Sequence, residues 1–410
     1  MLQHLLVRNL RSLLREGNIT LHLPDKSVAR IGDGLGPLVV VRLTTSAVVR
    51  RLVWNPELAL GEGYMNGEIT IDGDDLHGLL RVVVSNFDVQ ASSLWMRAIR
   101  VIRMLRRRFD QNNFASASRR NVAHHYDLSS TLYDLFLDQD RQYSCAYFKS
   151  PEDSLEQGQS QKKAHIAAKL LLEPGMRVLD IGCGWGGTAL SLARDYGVNV
   201  LGVTLSKEQH RIATARAKAE GLSDRVKFKL CDYRDVTGPF DRIVSVGMFE
   251  HVGLPHYAAY FQTVRNLLTP DGVALVHTIG RSAPPDATNP WIARYIFPGG
   301  YIPAMSEVLP AIENADLFLD DVECWRLHYA TTLRHWFDRF EANSEKAAEI
   351  YDDRFVRMWR FYLVASEQTF RFGRQVVFQF QISRRQDAVP LTRDYLYPPT
   401  PSTQLSRAAE

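Results

Sequence analysis

The spacing of hydrophobic and polar positions changes near residue 120 and divides the chain into two units. From about residue 121, short apolar runs alternate with stretches of helical spacing. The predicted strands are 177–181, 199–203, 226–231, 241–246 and 272–277, and the predicted helices are 188–196, 206–219 and 255–268. Strands that alternate with helices predict a parallel, doubly wound α/β sheet. Ligands of such sheets bind beyond the carboxyl ends of the strands.

The first unit, residues 1–94, has a different pattern. Ile19–Leu23 alternates like a half-buried strand, and Val39–Leu43 is typical of a second one. Glycines at positions 32, 34, 36, 61, 63, 67 and 73 separate short elements. This pattern predicts a small α+β domain, and it indicates no chemistry.

Residues 95–120 connect the two units. Arginines stand at 97, 100, 103, 106 and 107, at helical spacing, with apolar side chains on the other face. Such a basic amphipathic helix fits an anionic membrane surface. It equally fits a connecting helix that docks on the protein and keeps its basic face in water. We predict a linker at 111–120, an enzyme domain at 121–390 and a loosely attached tail at 391–410.

Composition and charge narrow the functional classes. The chain has 410 residues and a formal net charge of only +3, which does not indicate a nucleic-acid partner. We find neither a signal peptide nor an apolar run of about 18 residues that would span a membrane. The four cysteines lie far apart, which argues against a metal site or disulfides and favours a reducing compartment. We therefore expect a cytoplasmic protein, soluble or peripheral, without a metal.

A glycine-rich segment follows the first strand of the second unit. Leu179–Gly187 opens a helix, and its small residues allow backbone amides to approach a ligand closely. Gly182, Gly184 and Gly187 match the dinucleotide-binding spacing, which is weak evidence when it stands alone. The alternative interpretation is a simple tight turn within a parallel sheet.

The residues around this loop favour a cationic ligand over a dinucleotide. A nicotinamide enzyme needs an acidic residue about 20 residues on, whereas the second strand here ends in Thr204–Ser206. Asp180 stands two residues before the first glycine, where an acid suits a positively charged ligand. S-Adenosylmethionine carries an ammonium and a sulfonium cation and no phosphate. We expect Asp232, at the end of the third strand, to accept a hydrogen bond from its adenine amino group.

Several further segments carry a resemblance to a known family. They are His125–Asp127, Tyr143–Phe148, Asp180–Gly187, Gly202–Gln209, Met248–Gly253, His277–Gly280 and Tyr295–Pro303. With them the chain resembles the cyclopropane-fatty-acyl-phospholipid synthase family, including the mycolic acid cyclopropane synthases, over about residues 120–385. The resemblance implies a Rossmann-like class I methyltransferase domain and a smaller N-terminal lipid-binding and dimerisation domain. It also implies a homodimer at the inner face of the cell membrane, with phospholipid as partner.

The resemblance assigns two sets of site residues. The implied S-adenosylmethionine site consists of Tyr143, Ser144, Asp180, Gly182, Gly184, Gly186, Thr204, Ser206, Gln209, Asp232 and Tyr233. The implied catalytic set, which would hold bicarbonate, consists of Cys145, Glu250, His277, the backbone of Ile279, and Tyr329. Some members also have a cysteine proposed as a catalytic thiol. Here that position is Ser366, which cannot form a thiolate, so we assign it no role.

The implied reaction sets clear chemical demands. Methyl transfer to an isolated double bond leaves a carbocation, so the alkene must be positioned and water excluded. The aromatic residues from Trp291 to Tyr301 are candidates for an apolar tunnel, and a base must then remove a proton so that the ring closes. Taken singly, Cys145, His277 and Tyr329 also fit ordinary core positions. Glu250 is harder to explain that way, because burying an acid without purpose is costly.

Other functions within and beyond this fold stay open. The same cation could lose a different proton and give a methylene- or methyl-branched chain. A methyltransferase for small molecules or nucleic acids is disfavoured, because Gly247–Glu250 lacks the Asn/Asp-Pro-aromatic motif of amino-group methyltransferases. A non-catalytic lipid-binding protein is disfavoured by the retained Asp180 and Glu250. We expect cyclopropane formation on cis-unsaturated phospholipid acyl chains.

Overall fold

The computed structural model describes residues 1–86, 101, 103, 104, 107, 111 and 130–397. The predicted linker, the His125–Asp127 segment and the end of the tail, from residue 398, lie outside these residues. Most of the predicted basic helix at 95–110 does as well. Across the described ranges, no helix is long and apolar enough to cross a membrane.

The N-terminal unit is a four-stranded sheet covered by helices. Its strands are β1 (Asn18–His22), β2 (Val28–Ile31), β3 (Leu38–Leu43) and β4 (Ile69–Ile71), in the order β2-β1-β3-β4. Its helices are α1 (Leu2–Leu13), α2 (Ser46–Trp54), α3 (Pro56–Met65) and α4 (Leu76–Ser85). The β1 and β3 strands are parallel, while the other two pairs are antiparallel. The two strands predicted in this unit are β1 and β3, within one residue at each end.

The second unit contains a seven-stranded sheet. Its strands are β5 (Arg177–Ile181), β6 (Asn199–Thr204), β7 (Val226–Leu230), β8 (Phe240–Val246), β9 (Leu268–Arg281), β10 (Phe318–Trp325) and β11 (Gln375–Ser383). The order is β10-β11-β9-β8-β5-β6-β7. The strands from β7 to β9 are parallel, and β11 and β10 add an antiparallel edge. The predicted doubly wound, mostly parallel sheet is confirmed.

Helices pack on both sides of this sheet, and some of them contact the N-terminal unit. They are α5 (Ser130–Asp134), α6 (Leu155–Lys169), α7 (Gly187–Tyr196), α8 (Lys207–Ala219), α9 (Tyr257–Leu267), α10 (Pro290–Tyr295), α11 (Met305–Glu313), α12 (His328–Ala342), α13 (Ser344–Ile350) and α14 (Asp353–Arg371). Local sequence explains where several begin. Ser154 forms a capping box with Gln157 at the start of α6. Ser206 caps α8 by accepting a hydrogen bond from the Gln209 amide, 3.2 Å away.

The two units pack against each other through α3, α4, α10 and α14. Gly61 of α3 lies against the Trp291 indole so closely that any Cβ there would overlap the ring. The Tyr295 hydroxyl donates to Glu62 at 2.8 Å, and His77 lies 3.3 Å from the buried carboxylate of Glu367. One hydrophobic core therefore includes residues of both units.

The described part of the connecting segment favours the docked-helix interpretation over a free membrane helix. Residues 101, 103, 104 and 107 are helical. Arg103 pairs with Glu57 of the N-terminal unit at 2.6 Å, and Arg107 pairs with Glu307 of the second unit at 2.9 Å. These two guanidinium groups are engaged by protein carboxylates. The other three arginines of the pattern lie outside the described residues.

Candidate active site

The glycine-rich loop lies at the point where the sheet reverses its direction of growth. From β5 the chain adds β6 and β7 on one side and then crosses to β8 on the other, which opens a crevice at the end of β5. Gly182 has a φ of 81° and would place a Cβ 2.8 Å from the Met248 side chain. A larger residue here would be strained and would clash. The loop thus forms the floor of a polar cavity.

Nine of the eleven residues predicted to hold the cofactor line this cavity. They are Tyr143, Ser144, Asp180, Gly182, Gly184, Thr204, Gln209, Asp232 and Tyr233. The other two, Gly186 and Ser206, lie outside its lining. Gly186, with a φ of 84°, lets the Phe228 ring pack where a Cβ would be 2.6 Å away, and Ser206 caps α8. Both shape the loops that carry the lining residues.

Asp180 supplies a buried anionic group to the cavity. Its side chain is 2% exposed, and its Oδ2 atom accepts no hydrogen bond from the described residues. Burial raises the pKa of Asp180 to about 7, and the charge of Lys162 offsets this only in part. A carboxylate that lacks partners is stabilised by a cationic ligand. This site therefore suits an ammonium group.

Lys162 of α6 was not predicted, and it organises one wall of the cavity. Its ammonium is fully buried and donates to Gln142 Oε1 at 2.6 Å and Ser144 Oγ at 2.8 Å. Gln159 donates to the carbonyl oxygens of Gln142 and Ser144. Burial lowers the pKa of Lys162 to about 8. In sequence, the Lys162–Lys163 pair is typical of a solvated helix face, so no pattern identified its role.

Asp232 lies on the opposite side of the cavity and is oriented by a neighbour. Arg234 donates to both carboxylate oxygens, with its Nε 2.8 Å from Oδ1 and its terminal nitrogen 2.6 Å from Oδ2. The Arg234 backbone amide also donates to Oδ1, at 3.1 Å. The hydrogen bond expected from an adenine amino group stays a prediction.

A second, larger cavity opens beside the first and extends between the two units. Its volume is about 1040 Å³, at the upper end of the range of ligand pockets. Apolar residues of the N-terminal unit form much of its wall, among them Leu10, Ile19, Val41, Leu52, Leu60 and Leu79. All five residues predicted as catalytic also line it, namely Cys145, Glu250, His277, Ile279 and Tyr329. The structure brings this predicted set together in one place.

Glu250 is the acidic residue of the predicted catalytic set, while Glu57 and Asp286 also line this cavity. It lies in a short 3-10 turn after β8, where its Oε1 accepts a hydrogen bond from the Ile279 amide at 2.6 Å. Its Oε2 is buried and accepts no hydrogen bond from the described residues. Burial raises the pKa of Glu250 to about 7, although the Ile279 amide opposes the shift. The Ile279 amide thus positions Glu250 and leaves one carboxylate oxygen for a ligand.

His277, near the middle of β9, is a neutral side chain in this environment. Burial, together with the charges of Lys162 and Lys169, lowers the pKa of His277 well below its usual value. Gln379 of β11 donates its amide to His277 Nδ1 at 3.0 Å, which makes Nε2 the protonated nitrogen. Gln379 was missed, although the alternation of Gln375–Ser383 is typical of a strand.

Cys145 and Tyr329 are the remaining side chains of the predicted catalytic set, and both are only weakly polar. Burial raises the pKa of the Cys145 thiol, which therefore stays protonated and donates to the Ala146 carbonyl at 3.3 Å. Tyr329 packs edge-on against Trp336 and lies 4.9 Å from the Phe370 ring centroid. The protonated Cys145 thiol is not a nucleophile here. Both belong to a cavity whose lining is mostly apolar and includes a single carboxylate from the predicted catalytic set.

The two cavities meet. Tyr143, Ser144, Gly247 and His251 line both of them. Burial lowers the pKa of His251 to about 4, so the junction carries no cationic histidine at neutral pH. A ligand held by Asp180 in the polar cavity can therefore present a reactive group to an apolar ligand in the other.

Comparison with known proteins shows to which family the chain belongs. The family model "Mycolic acid cyclopropane synthetase" matches residues 114–380, and "Domain of unknown function (DUF7884)" matches residues 7–94. The cyclopropane-fatty-acyl-phospholipid synthase of Escherichia coli is 40% identical over 374 residues, which cover 88% of this chain and 95% of that protein.

Solved structures agree. A cyclopropane synthase from Mycobacterium tuberculosis aligns with a TM-score of 0.62 and 34% identity, covering 64% of this chain and 97% of that chain. A mycolic acid cyclopropane synthase complexed with SAH and CTAB aligns with a TM-score of 0.61 and 34% identity, covering 64% and 97%. The chain belongs to the mycolic acid cyclopropane synthetase family and is a methyltransferase that uses S-adenosylmethionine.

Proposed function

We propose that this enzyme transfers a methylene group from S-adenosylmethionine to the cis double bond of unsaturated phospholipid acyl chains and forms a cyclopropane ring. The observation that carries this proposal is the junction of a polar cavity with a long apolar one. Asp180 suits the ammonium of the methyl donor, and the apolar walls suit an alkyl chain. The similarity to the E. coli phospholipid synthase supports the same substrate class.

The reaction steps fit the residues that line the apolar cavity. The π electrons of the alkene attack the sulfonium methyl group, and the C–S bond breaks to release S-adenosylhomocysteine. The resulting carbocation must be kept from water, which the buried rings of Phe361 and Tyr362 and the partly buried ring of Tyr143 favour. Their π faces also tolerate a nearby cation. Loss of a proton from the transferred methyl group then allows the ring to close.

The residues around Glu250 fit a bound bicarbonate. The unpartnered Oε2 of Glu250 suits the hydroxyl of such an ion, and the Nε2–H of His277 suits one of its oxygens. When bound, bicarbonate would supply a mild base near the cation. The chain's own part is to hold Glu250 through Ile279 and to keep His277 neutral through burial.

The experiment uses the purified protein with methyl-labelled S-adenosylmethionine, bicarbonate and liposomes of cis-unsaturated phospholipid. The fatty acid methyl esters are analysed by mass spectrometry and proton NMR. We expect a product heavier by one methylene, with upfield ring protons and no olefinic signal. A labelled product that keeps an olefin would show that the enzyme forms a branched chain instead of closing the ring. The absence of any lipid product, despite cofactor binding, would overturn the lipid substrate.

The proposal extends to the surroundings of the enzyme. A phospholipid substrate places the reaction at a membrane surface, which the protein would approach peripherally from the cytoplasm. The homodimer expected from the resemblance stays a prediction, and light scattering of the purified protein measures it directly.

A further inference from the structure

A second polar pocket lies between the two units and outside the site described above. It holds about 800 Å³ and is lined by α4, by loops of the N-terminal unit, and by α12 and α14. Ser85, Asn86 and Phe372 line both this pocket and the apolar cavity. The two spaces are therefore neighbours, so one molecule with an apolar chain and a polar end could occupy both.

Glu367 of α14 anchors two guanidinium groups in this pocket. Its side chain is fully buried, and its Oε1 accepts from Arg334 at 3.1 Å and from Arg371 at 2.6 Å. Its Oε2 lies 3.3 Å from His77 of α4. The hydrogen bonds from His77 and Arg371, together with the charges of Arg334 and Arg371, keep the pKa of Glu367 below its usual value despite burial. One carboxylate thus holds two arginines that both line the pocket.

Arg81 adds a third guanidinium without a carboxylate of its own. It lies one helical turn after His77 and on the same face of α4. Its guanidinium carbon is 5.2 Å from the centre of the Phe372 ring, beside Arg371 in sequence. Among the described residues no acidic side chain forms an ion pair with Arg81, and the group is exposed. Its charge is available to a ligand.

Acidic side chains of the pocket lining limit the kind of anion that fits. Asp33 accepts from the Gly17 and Leu35 amides, and Asp75 accepts from the Gly78 amide, while Glu16 also lines the pocket. These charges would repel a polyanion such as a nucleic acid. A single phosphodiester near the arginines, carrying a neutral or cationic group toward the acids, fits better.

We propose that this pocket is a subsite for the phosphate headgroup of the lipid substrate, with Arg81 and Arg371 facing the phosphate. This inference rests on the proposed function, since it assumes that an acyl chain occupies the adjoining cavity. The headgroup subsite would set how far the chain enters and hence which bond of the chain reaches the sulfonium methyl group.

The test compares two substrates with identical oleoyl chains, dioleoylphosphatidylethanolamine and dioleoylglycerol, in neutral detergent micelles. The measured quantity is the ratio of their kcat/KM values. We expect the wild type to favour the phospholipid and R81Q to lower the ratio about tenfold, as loss of a charged hydrogen bond implies. R81K should recover part of the ratio. R50Q is the matched control, because Arg50 is an exposed arginine of the same unit that lies outside this pocket.

An equal ratio in wild type and R81Q, or a wild type that does not distinguish the two lipids, would overturn the subsite. An equal loss on both lipids would assign Arg81 a structural role and overturn it as well. Calorimetric titration with inorganic phosphate distinguishes a lipid headgroup from a free anion. If phosphate binding depended on Arg81 while the lipid ratio did not, the pocket would be a site for free anions and the headgroup subsite would be overturned. If the wild type modified neither lipid, the proposed function itself would fail.

Discussion

The two cavities of the active site are built in opposite ways. The polar cavity is formed largely by loops at one end of one sheet, and its lining includes the charged groups Asp180 and Asp232. The apolar cavity takes its wall from two separate units and is lined largely by side chains without charge. The difference shows that a small charged ligand is recognised by local sequence, whereas a long apolar ligand is accommodated by the packing of distant segments.

The largest effect is expected for a variant that slows the chemical step and leaves cofactor affinity unchanged. E250Q keeps the shape of the side chain but removes the carboxylate that faces the apolar cavity. Because acid–base groups contribute about 10²- to 10⁴-fold, we expect a loss of that order in kcat. The affinity for S-adenosylmethionine, measured by calorimetry, should be unchanged. E313Q, at an exposed position that ends α11, is the control. A parallel loss of cofactor affinity would show that the two cavities are not independent.

The reverse effect is expected at the polar cavity. D180N removes the negative charge but keeps the size of the buried side chain. Charged hydrogen bonds contribute about 1.5–3 kcal/mol, so the affinity for S-adenosylmethionine should fall about 10- to 100-fold. The KM for the lipid should change little. An unchanged dissociation constant, measured by calorimetry, would remove Asp180 from the cofactor site.

The pH dependence of cofactor binding sharpens this prediction. Since the pKa of Asp180 is about 7 in the ligand-free protein, its charged fraction falls about tenfold between pH 8 and pH 6. A cation binds to the charged form, so affinity should fall by a similar factor over this range. D180N should show a much flatter profile. An identical slope in both proteins would assign the titration to another group.

The same shift affects stability with the opposite sense. The pKa of the Asp180 carboxyl is raised on folding, so its contribution is present below about pH 4 and is lost as the pH rises to about 7. A change from 3.8 to about 7 corresponds to at most about 4 kcal/mol. Ligand-free D180N should therefore be more stable than the wild type at pH 8. Denaturant unfolding at pH 5 and pH 8 measures this difference, and a gap that does not widen with pH would contradict it.

A smaller effect is expected where the N-terminal unit contacts the second unit. G61A would force the Trp291 indole to move, and overpacking typically costs about 1–3 kcal/mol. We expect a lower free energy of unfolding and a higher KM for the lipid, with little change in cofactor affinity. The double mutant tests the cause, because G61A should cost much less in a W291L background. An equal cost in both backgrounds would mean that the contact is unimportant.

The same contact shows which features the sequence could not predict. The strands β5 to β8 were predicted within one residue at each end, because apolar runs and a glycine loop are local signals. The partnership of Gly61 with Trp291 joins segments more than 200 residues apart and leaves no periodicity in either. The antiparallel edge of β10 and β11 was missed too. Gln379 and Gln381 look like a solvated strand face, yet both are buried, the first against His277 and the second against the Lys169 carbonyl.

The predicted site also divides into residues with local sequence signals and residues that depend on tertiary contacts. Nine of the eleven predicted cofactor residues and all five residues predicted as catalytic, which were identified from motifs, line the cavities. Lys162 was missed because a buried lysine has the same sequence pattern as a solvated one. Its role depends on Gln142 and Ser144, which reach it only through the packing of α6 against their loop. Buried polar networks depend on tertiary contacts, and motifs record only some of their members.

The smallest effect is expected at Ser366, a position that faces the apolar cavity without taking part in its chemistry. Ser366 lies on α14 and lines the cavity, and its carbonyl accepts the Thr369 hydroxyl at 2.8 Å. That contact uses the backbone, so S366A preserves it, and we expect kcat to change by less than about twofold, within the range of a surface substitution. S366C should behave alike, because the proposed ring closure relies on groups around Glu250 rather than on a thiolate. A tenfold loss in S366A, measured on the labelled lipid product, would mean that the hydroxyl contacts the reacting chain and that the apolar cavity, like the polar one, recognises its ligand through specific polar groups.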